Sequence, residues 1–384
     1  MKGEKMKVLF IIIGIVSCIG VLTLGVLAHP AFGTFRHVSE ERIQASPNYR
    51  DGRFQNQEPT PQFTGKGKRG DGLRVTGDGL QEGRVPKEAI EAYKTDLRSL
   101  PTDSDWVVWF GHSSYLFCLG GKRFLVDPVL KPEFPASLML RPFPGTDIYR
   151  PDDLPEIDVL IVTHEHWDHM DYATLRDIRT RVRHVVCPLG IADYLRYWHY
   201  SDNQITELDW YDNSQFTIHN SQFLAHKGHD YFTIHNSQLS IINSQLSITC
   251  LPTRHFSNRL LGRANQTLWA SFMIEYAGRK VYIGGDGGYD KRFKTIREQF
   301  GQVDLAFLEN GQYNERWRYI HTTPEGLEQA VLDLQPKQVF TVHHDKYALA
   351  MHPWNEPDSV ARAISGRNGT FRLLDAPIGK VVFF

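Results

Sequence analysis

The sequence predicts a layered α/β domain preceded by a membrane segment and an extended arm, and three observations carry that reading. Strand-like apolar runs alternate with helical stretches from about residue 105 onward; a buried-strand pattern, IDVLIVT at 157–163, passes directly into the polar loop THEHWDHMD; and the N-terminus carries a long uncharged apolar run. Strands and helices in such a mixture pack as layers, with the strand ends presenting loops along one edge.

Taken in order, Lys2, Lys5 and Lys7 precede the run from Val8 to Ala28, which at about 1.5 Å per helical residue is long enough to span a hydrocarbon core of roughly 30 Å. Residues 1–30 are therefore expected to be an uncleaved anchor. The alternatives are a signal peptide cleaved after Val26-Leu27-Ala28 and a lipoprotein site at Ile15-Val16-Ser17-Cys18. Basic residues at the start place the N-terminus in the cytoplasm and the bulk outside, which in a bacterium is the periplasm. Residues 31–104 are polar and Gly-rich without a sustained period, so they read as an extended arm with one short helix near Lys87 to Leu97 and a solvated KGKR loop at 66–69.

The compact domain covers residues 105–384. WVVWF (106–110), SYLFCL (114–119) and KRFLVD (122–127) read as strands, the last two joined by a Gly-Gly turn. After the polar loop, YATLRDIRTRV reads as a helix, followed by the strands VVCP, TLWASFMIEY, KVYIGGD, DLAFLEN and QVFTVHH and the helix PEGLEQAVLDL. FTIHNSQ occurs at 216–222 and again at 232–238, which marks residues 213–248 as a duplicated, dispensable insertion forming a hairpin or a mobile loop. His219, His226, His229 and His235 in and between the copies are read as bystanders.

Composition narrows the function. At 41% hydrophobic and 23% charged the chain is a folded globular protein, and 43 Lys plus Arg against 44 Asp plus Glu leaves no positive field for nucleic acid. Four cysteines without a C-x-x-C pair exclude a disulfide framework and an all-thiolate zinc site. Histidine is the unusual residue, at 17.

The chemistry concentrates in His164-Glu165-His166-Trp167-Asp168-His169. In an extended stretch residues i and i+2 project to the same side, so His164 and His166 can grip one ion while Asp168 and His169 turn toward a second. Imidazole and carboxylate ligands together suit zinc, with iron and manganese as alternatives.

H-x-H-x-D-H after a strand resembles the signature of the metallo-β-lactamase superfamily. WFGHSS (109–114), FLVDP (124–128), VTHEHWDHMD (162–171), ELDW (207–210), PTRHFSNR (252–259), TLWASF (267–272), GGDGGYDKRF (284–293) and VHHDKYALA (342–350) look like the branch containing N-acyl-phosphatidylethanolamine phospholipase D and RomA-like bacterial proteins. The resemblance covers about residues 105–360 and implies a four-layer αββα sandwich with the metal site at one edge. It also implies His255 as the third ligand of the first ion, Asp286 as the bridge, and His343 completing the second site with Asp168 and His169. Asp127 would accept a hydrogen bond from a ligating imidazole without touching metal, or else cap the turn before Pro128. His321 matches a family histidine that would donate to a substrate phosphate or leaving group, or it is a helix-entry residue. His112 and His344, the latter where the family has Trp, are candidates for substrate contact. ENGQYNERW at 309–317 and Gly287, where that branch has Thr, depart from the phospholipase pattern.

Two cations about 3.5 to 4 Å apart can activate water and clamp the charge that develops in an in-line displacement. The expected function is a dinuclear zinc hydrolase acting on N-acyl-phosphatidylethanolamine-type phospholipids, with Asp286 orienting the nucleophile and His321 protonating the leaving group. A lactone or amide substrate is the alternative within hydrolases. A non-catalytic, metal-stabilised envelope protein is the alternative outside them. A di-iron redox role is disfavoured by His166, where such proteins carry Glu, and by the lack of a flavodoxin-like extension.

Overall fold

The computed structural model describes residues 20, 25–33, 40–64, 83–219, 222–226, 245–259 and 263–384. In the N-terminal arm a short helix, α1 (Glu40–Ala45), is followed by a tight hairpin of β1 (Tyr49–Arg50) and β2 (Arg53–Phe54). Six strands then build a first sheet: β3 (Trp106–Trp109), β4 (Tyr115–Leu119), β5 (Lys122–Val126), β6 (Ile157–Ile161), β7 (Val182–Pro188) and β8 (Ile205–Leu208). The second sheet contains β9 (Asn213–His219), β10 (Gln222–His226), β11 (Gln245–Leu251), β12 (Ser271–Tyr276), β13 (Arg279–Ile283), β14 (Leu305–Glu309), β15 (Gln338–Val342) and β16 (Arg372–Leu373). The last strand, β17 (Val381–Phe383), returns to pair with β3. The strand orders are β17-β3-β4-β5-β6-β7-β8 and β10-β9-β11-β12-β13-β14-β15-β16.

Side chains alternate faces along a strand, so each sheet has two apolar faces to cover. Val107, Trp109, Phe117, Phe124 and Val126 of the first sheet meet Phe216, Ile248, Phe272, Ile283 and Phe307 of the second in one central core. The other face of the first sheet, with Trp106, Val108, Leu116 and Leu125, packs under α2 (Tyr172–Ile178) and α3 (Ile191–Tyr197) through Leu175, Ile178, Ile191 and Leu195. The outer face of the second sheet, with Met273, Tyr282, Ala306 and Val339, packs under α4 (Arg292–Phe300), α5 (Pro324–Leu334) and α6 (Glu356–Asn368) through Phe293, Ile296, Leu327, Val331 and Ile364. These are the four αββα layers expected from the resemblance. Within each sheet, β5-β6-β7-β8 and β13-β14-β15-β16 run parallel.

Three expectations change. Lys87 to Leu97 contains no helix: Ala92 forms a parallel bridge with Ile378 and Tyr93 N donates to Ile378 O at 2.8 Å, so pairing with the C-terminal segment decides the conformation. The arm is docked rather than free, since Phe54 and Leu97 are fully buried and Ile43 nearly so. The described part of the repeat region is built into the second sheet rather than appended to it. Residues 216–219 of its first copy lie in β9, which pairs with β10 and β11 and sends Phe216, opposite Leu246, into the central core. The second copy, and the KGKR loop, lie outside the described residues. So does most of the apolar run Val8 to Ala28, and no described helix is long and apolar enough to cross a membrane. Cys118, Cys187 and Cys250 are free and buried.

Candidate metal centre

The candidate ligands leave the ends of strands that point to one edge of the sandwich. His164, His166, Asp168 and His169 follow β6; His255 follows β11; Asp286 follows β13; His343 follows β15. The loop after β6 is closed by a turn in which His169 N and Met170 N both donate to His166 O, and Asp171 then caps α2 by accepting from Thr174 N. Before Asp286 the backbone threads a gap no side chain could share: Gly285 has φ +59°, and a Cβ there would sit 2.7 Å from Ala270 O. Asp127, His112 and His343 also take positive φ, at 41°, 53° and 75°, and such strain in non-glycine residues gathers where a site requires it.

Two groups of donors result. His166 Nδ1 lies 2.9 Å from His164 Nε2 and 3.1 Å from His255 Nε2. Beside them, Asp286 Oδ2 lies 3.2 Å from His169 Nε2, 3.3 Å from His343 Nε2, 3.8 Å from His255 Nε2 and 4.0 Å from His164 Nε2. Asp168 Oδ2 completes the second group at 3.8 Å from His169 Nε2. His169 Nε2, His343 Nε2 and Asp286 Oδ1 are buried with no hydrogen-bond partner, an arrangement that is costly without a cation.

Protonation favours the same conclusion at four of the five imidazoles, whereas at His169 burial is outweighed by Asp286, Asp168 and Asp127, which hold its proton until a cation displaces it. Burial, then the neighbouring imidazoles, holds His164, His255 and His343 well below the usual histidine value. Burial likewise takes His166 down to about 3. Lone pairs are thus available at neutral pH, as metal binding requires. Burial would raise Asp168, but His169 and His112 outweigh it and keep it ionised. Asp286 is pushed up to about 7 by burial, with Glu309 adding to the effect. It is a buried carboxylate for which a dication is the natural counter-charge.

Residues 122–344 match the family described as "Beta-lactamase superfamily domain". The chain belongs to this superfamily. Within it, the chain is 32% identical over 340 residues to an uncharacterized protein of Mycobacterium tuberculosis, covering 84% of this chain and 80% of that one. It is 50% identical over 101 residues to "Outer membrane protein RomA" of Klebsiella pneumoniae, covering 26% and 76% respectively. It is 27% identical over 258 residues to "N-acyl-phosphatidylethanolamine-hydrolyzing phospholipase D 1" of Caenorhabditis elegans, covering 64% and 65%. The chain is therefore a metallo-β-lactamase superfamily member of the branch that holds this phospholipase and RomA, a branch of metal-dependent hydrolases.

Around this superfamily site a second layer of contacts fixes the rings. Asp127 Oδ2 is 2.8 Å from His169 Nδ1, while the same carboxylate accepts from Thr163 N and Thr163 Oγ1 at 2.8 and 2.6 Å. His255 Nδ1 donates to Ile320 O at 2.7 Å, and Ser113 Oγ lies 2.8 Å from His343 Nδ1. His112 is completely buried and places Nε2 2.9 Å from Asp168 Oδ2, so it orients a candidate ligand and is sealed from any substrate. His344 turns away from the centre, its ring against Trp109 at 4.8 Å. His321 sits at the opening, 16% exposed, with Nδ1 on Glu309 Oε1 and its ring stacked on His343 at 5.4 Å.

Two residues escaped the sequence reading. Glu309 ends β14 beside Val342 and, besides holding His321, accepts from Gly287 N at 2.8 Å and Thr322 N at 3.2 Å. A carboxylate at the end of a buried strand was the available signal. Arg259, in PTRHFSNR, is buried and donates to Glu165 O, Met170 O and Ala31 O, with its guanidinium 3.8 Å from the centre of the Trp167 ring. It pins both ends of the histidine loop.

Proposed function

We propose that the chain is a dinuclear zinc-dependent phosphodiesterase that cleaves N-acyl-phosphatidylethanolamine-type phospholipids in the manner of a phospholipase D. The observation that carries the reading is the position of Asp286 Oδ2, within 3.2 to 4.0 Å of four imidazole nitrogens from three separate loops. His164, His166 and His255 would hold one ion, Asp168, His169 and His343 the other, and Asp286 would bridge them. Two bound zinc ions would supply Lewis acidity and an activated water for in-line attack at phosphorus.

The chain's own residues prepare the rest. Asp127, His112, Ser113 and the Ile320 carbonyl hold the donor rings and Asp168 in place, so that little reorganisation accompanies the reaction. Burial pulls His321 toward the neutral form, but Glu309 overrides it and the imidazole holds its proton more tightly than usual. With Nδ1 engaged by Glu309, Nε2 of His321 is the atom that gives a proton to the departing alcohol oxygen. The bond from water oxygen to phosphorus forms as the bond from phosphorus to the N-acylethanolamine oxygen breaks, leaving phosphatidic acid.

Similarity to the C. elegans phospholipase supports the substrate class. The apolar run Val8 to Ala28 supports anchorage in a membrane, and the relative described as an outer membrane protein supports an envelope location, with the domain on the periplasmic side. The test uses full-length protein in detergent against N-acyl-phosphatidylethanolamine in mixed micelles, alongside a lactone and an amide. Release of N-acylethanolamine and phosphatidic acid, lost with chelator and restored by zinc, is expected. Turnover of the lactone or amide with the lipid untouched would overturn the substrate assignment.

A further inference from the structure

The turn that carries His343 also carries a second, separate set of donors. His343 and Asp345 both take left-handed backbone, φ 75° and 61°, and between them His344 leaves the chain away from the dinuclear candidate. His344 Nε2 lies 3.3 Å from Thr341 Oγ1, which turns Nδ1 toward two carboxylates: Asp345 Oδ1 at 3.0 Å and Asp358 Oδ1, on α6, at 3.8 Å. His344 is 2% exposed, and both its Nδ1 and Asp345 Oδ1 are buried without a hydrogen-bond partner. The two atoms lie at ion-pairing distance but outside hydrogen-bonding geometry, so both face the same small space.

That space opens into a cavity of about 200 Å³, also lined by Glu91, Trp109, Arg362 and Asp375. Arg362 is taken up by Asp375 at 2.8 Å. Glu91, Asp345 and Asp358 therefore leave the cavity with an excess of negative charge around one buried imidazole.

We propose that His344, Asp345 and Asp358 form a third binding site for a divalent cation of the zinc class, distinct from the dinuclear centre and sharing none of its donors. Imidazole and carboxylate are both donors that zinc accepts, and a fourth position faces the cavity, where water fits. Ligand bonds of about 2.0 to 2.2 Å in a tetrahedron put donor atoms about 3.3 to 3.6 Å apart. The separations of 3.0 and 3.8 Å bracket that range. A cation here ties α6 to the strained 343–345 turn, and so steadies the backbone that aims His343 at the other centre. The site acts by positioning; it touches no reacting atom.

The experiment counts metal in the intact protein. Full-length protein is stripped with chelator, reloaded with zinc chloride, freed of loose metal and passed over a sizing column so that only the folded fraction is analysed. Wild type is expected to retain about three zinc ions per chain, and Asp358→Asn and His344→Gln about one fewer each. The double variant should lose no more than either single one. Asp286→Asn, which strikes the dinuclear centre, should lower the count separately, and combining it with Asp358→Asn should add the losses. A melting temperature that zinc raises further in wild type than in Asp358→Asn is the accompanying signature. Equal zinc content in wild type, Asp358→Asn and His344→Gln would overturn the site and leave the trio as a buried ion pair, whatever the fate of the dinuclear centre.

Discussion

The carboxylate of Asp127 accepts a hydrogen bond from Nδ1 of His169 at 2.8 Å, which leaves Nε2 of the same ring facing Asp286 at 3.2 Å. The pairing selects the tautomer whose lone pair points into the centre. Replacing Asp127 with Asn removes the charge and permits the wrong tautomer. Zinc affinity, measured by competition with a chromophoric chelator, should fall roughly 10- to 100-fold. An unchanged affinity would show that Asp127 serves only the backbone of its own turn.

Arg259 holds the histidine loop through the backbone carbonyls of Glu165 and Met170 and ties it to the arm through that of Ala31. Arg259→Met keeps much of the packing under Trp167 but strands those acceptors in the interior. Urea unfolding should show a loss of about 3 kcal/mol or more, and Arg259→Lys should recover only part of it, because a single ammonium nitrogen cannot reach both the Ala31 carbonyl served by Nε and the Glu165 and Met170 carbonyls served by Nη1. Full recovery by Lys would mean that charge alone, and not the forked geometry, is what the loop needs.

The first repeat copy is structural. Phe216→Ala, at a fully buried position of the central core, should cost about 3 to 5 kcal/mol. Excising residues 232–240, half of the connection between β10 and β11, should leave folding and metal content intact, since halving a loop changes its closure by only ~0.6 kcal/mol. Excising 214–247 removes most of β9, all of β10 and the start of β11, and should abolish folding. Soluble, metal-loaded protein from the longer deletion would contradict the sheet order.

His321→Gln should keep the zinc content of wild type while turnover of the lipid falls by about 10²- to 10⁴-fold. The loss should shrink with a substrate whose leaving group is already a good one, because such a group needs no proton. An equal loss on both substrates would make His321 a binding residue instead.

Much of this was legible because the donors are crowded: His164, His166, Asp168 and His169 share one loop, and the short motifs around His255, Asp286 and His343 each follow a strand. What stayed hidden depends on non-local facts. Glu309 is a lone acid at a strand end, and only the parallel register of β14 with β15 brings it beside His343. His344 looked like a neighbour of His343 in function as in sequence, but the left-handed turn sends it to a different cavity. His112 in GHSS looked like a candidate for substrate contact, yet its burial makes it a brace for Asp168. The helix expected at Lys87 to Leu97 gave way to pairing with Ile378, some 280 residues away in the chain and invisible to any local pattern. The repeat misled because near-identical copies suggest redundancy, whereas one copy had been drawn into the sheet.

The central claim is that Asp286 lies between two metal ions. Anomalous diffraction at the zinc absorption edge, from crystals of the zinc-loaded protein, tests it most directly. The account predicts two peaks about 3.5 to 4 Å apart on either side of the Asp286 carboxylate, one among His164, His166 and His255 and the other among Asp168, His169 and His343. A single peak there, or zinc bound with Asp286 outside its reach, would contradict it.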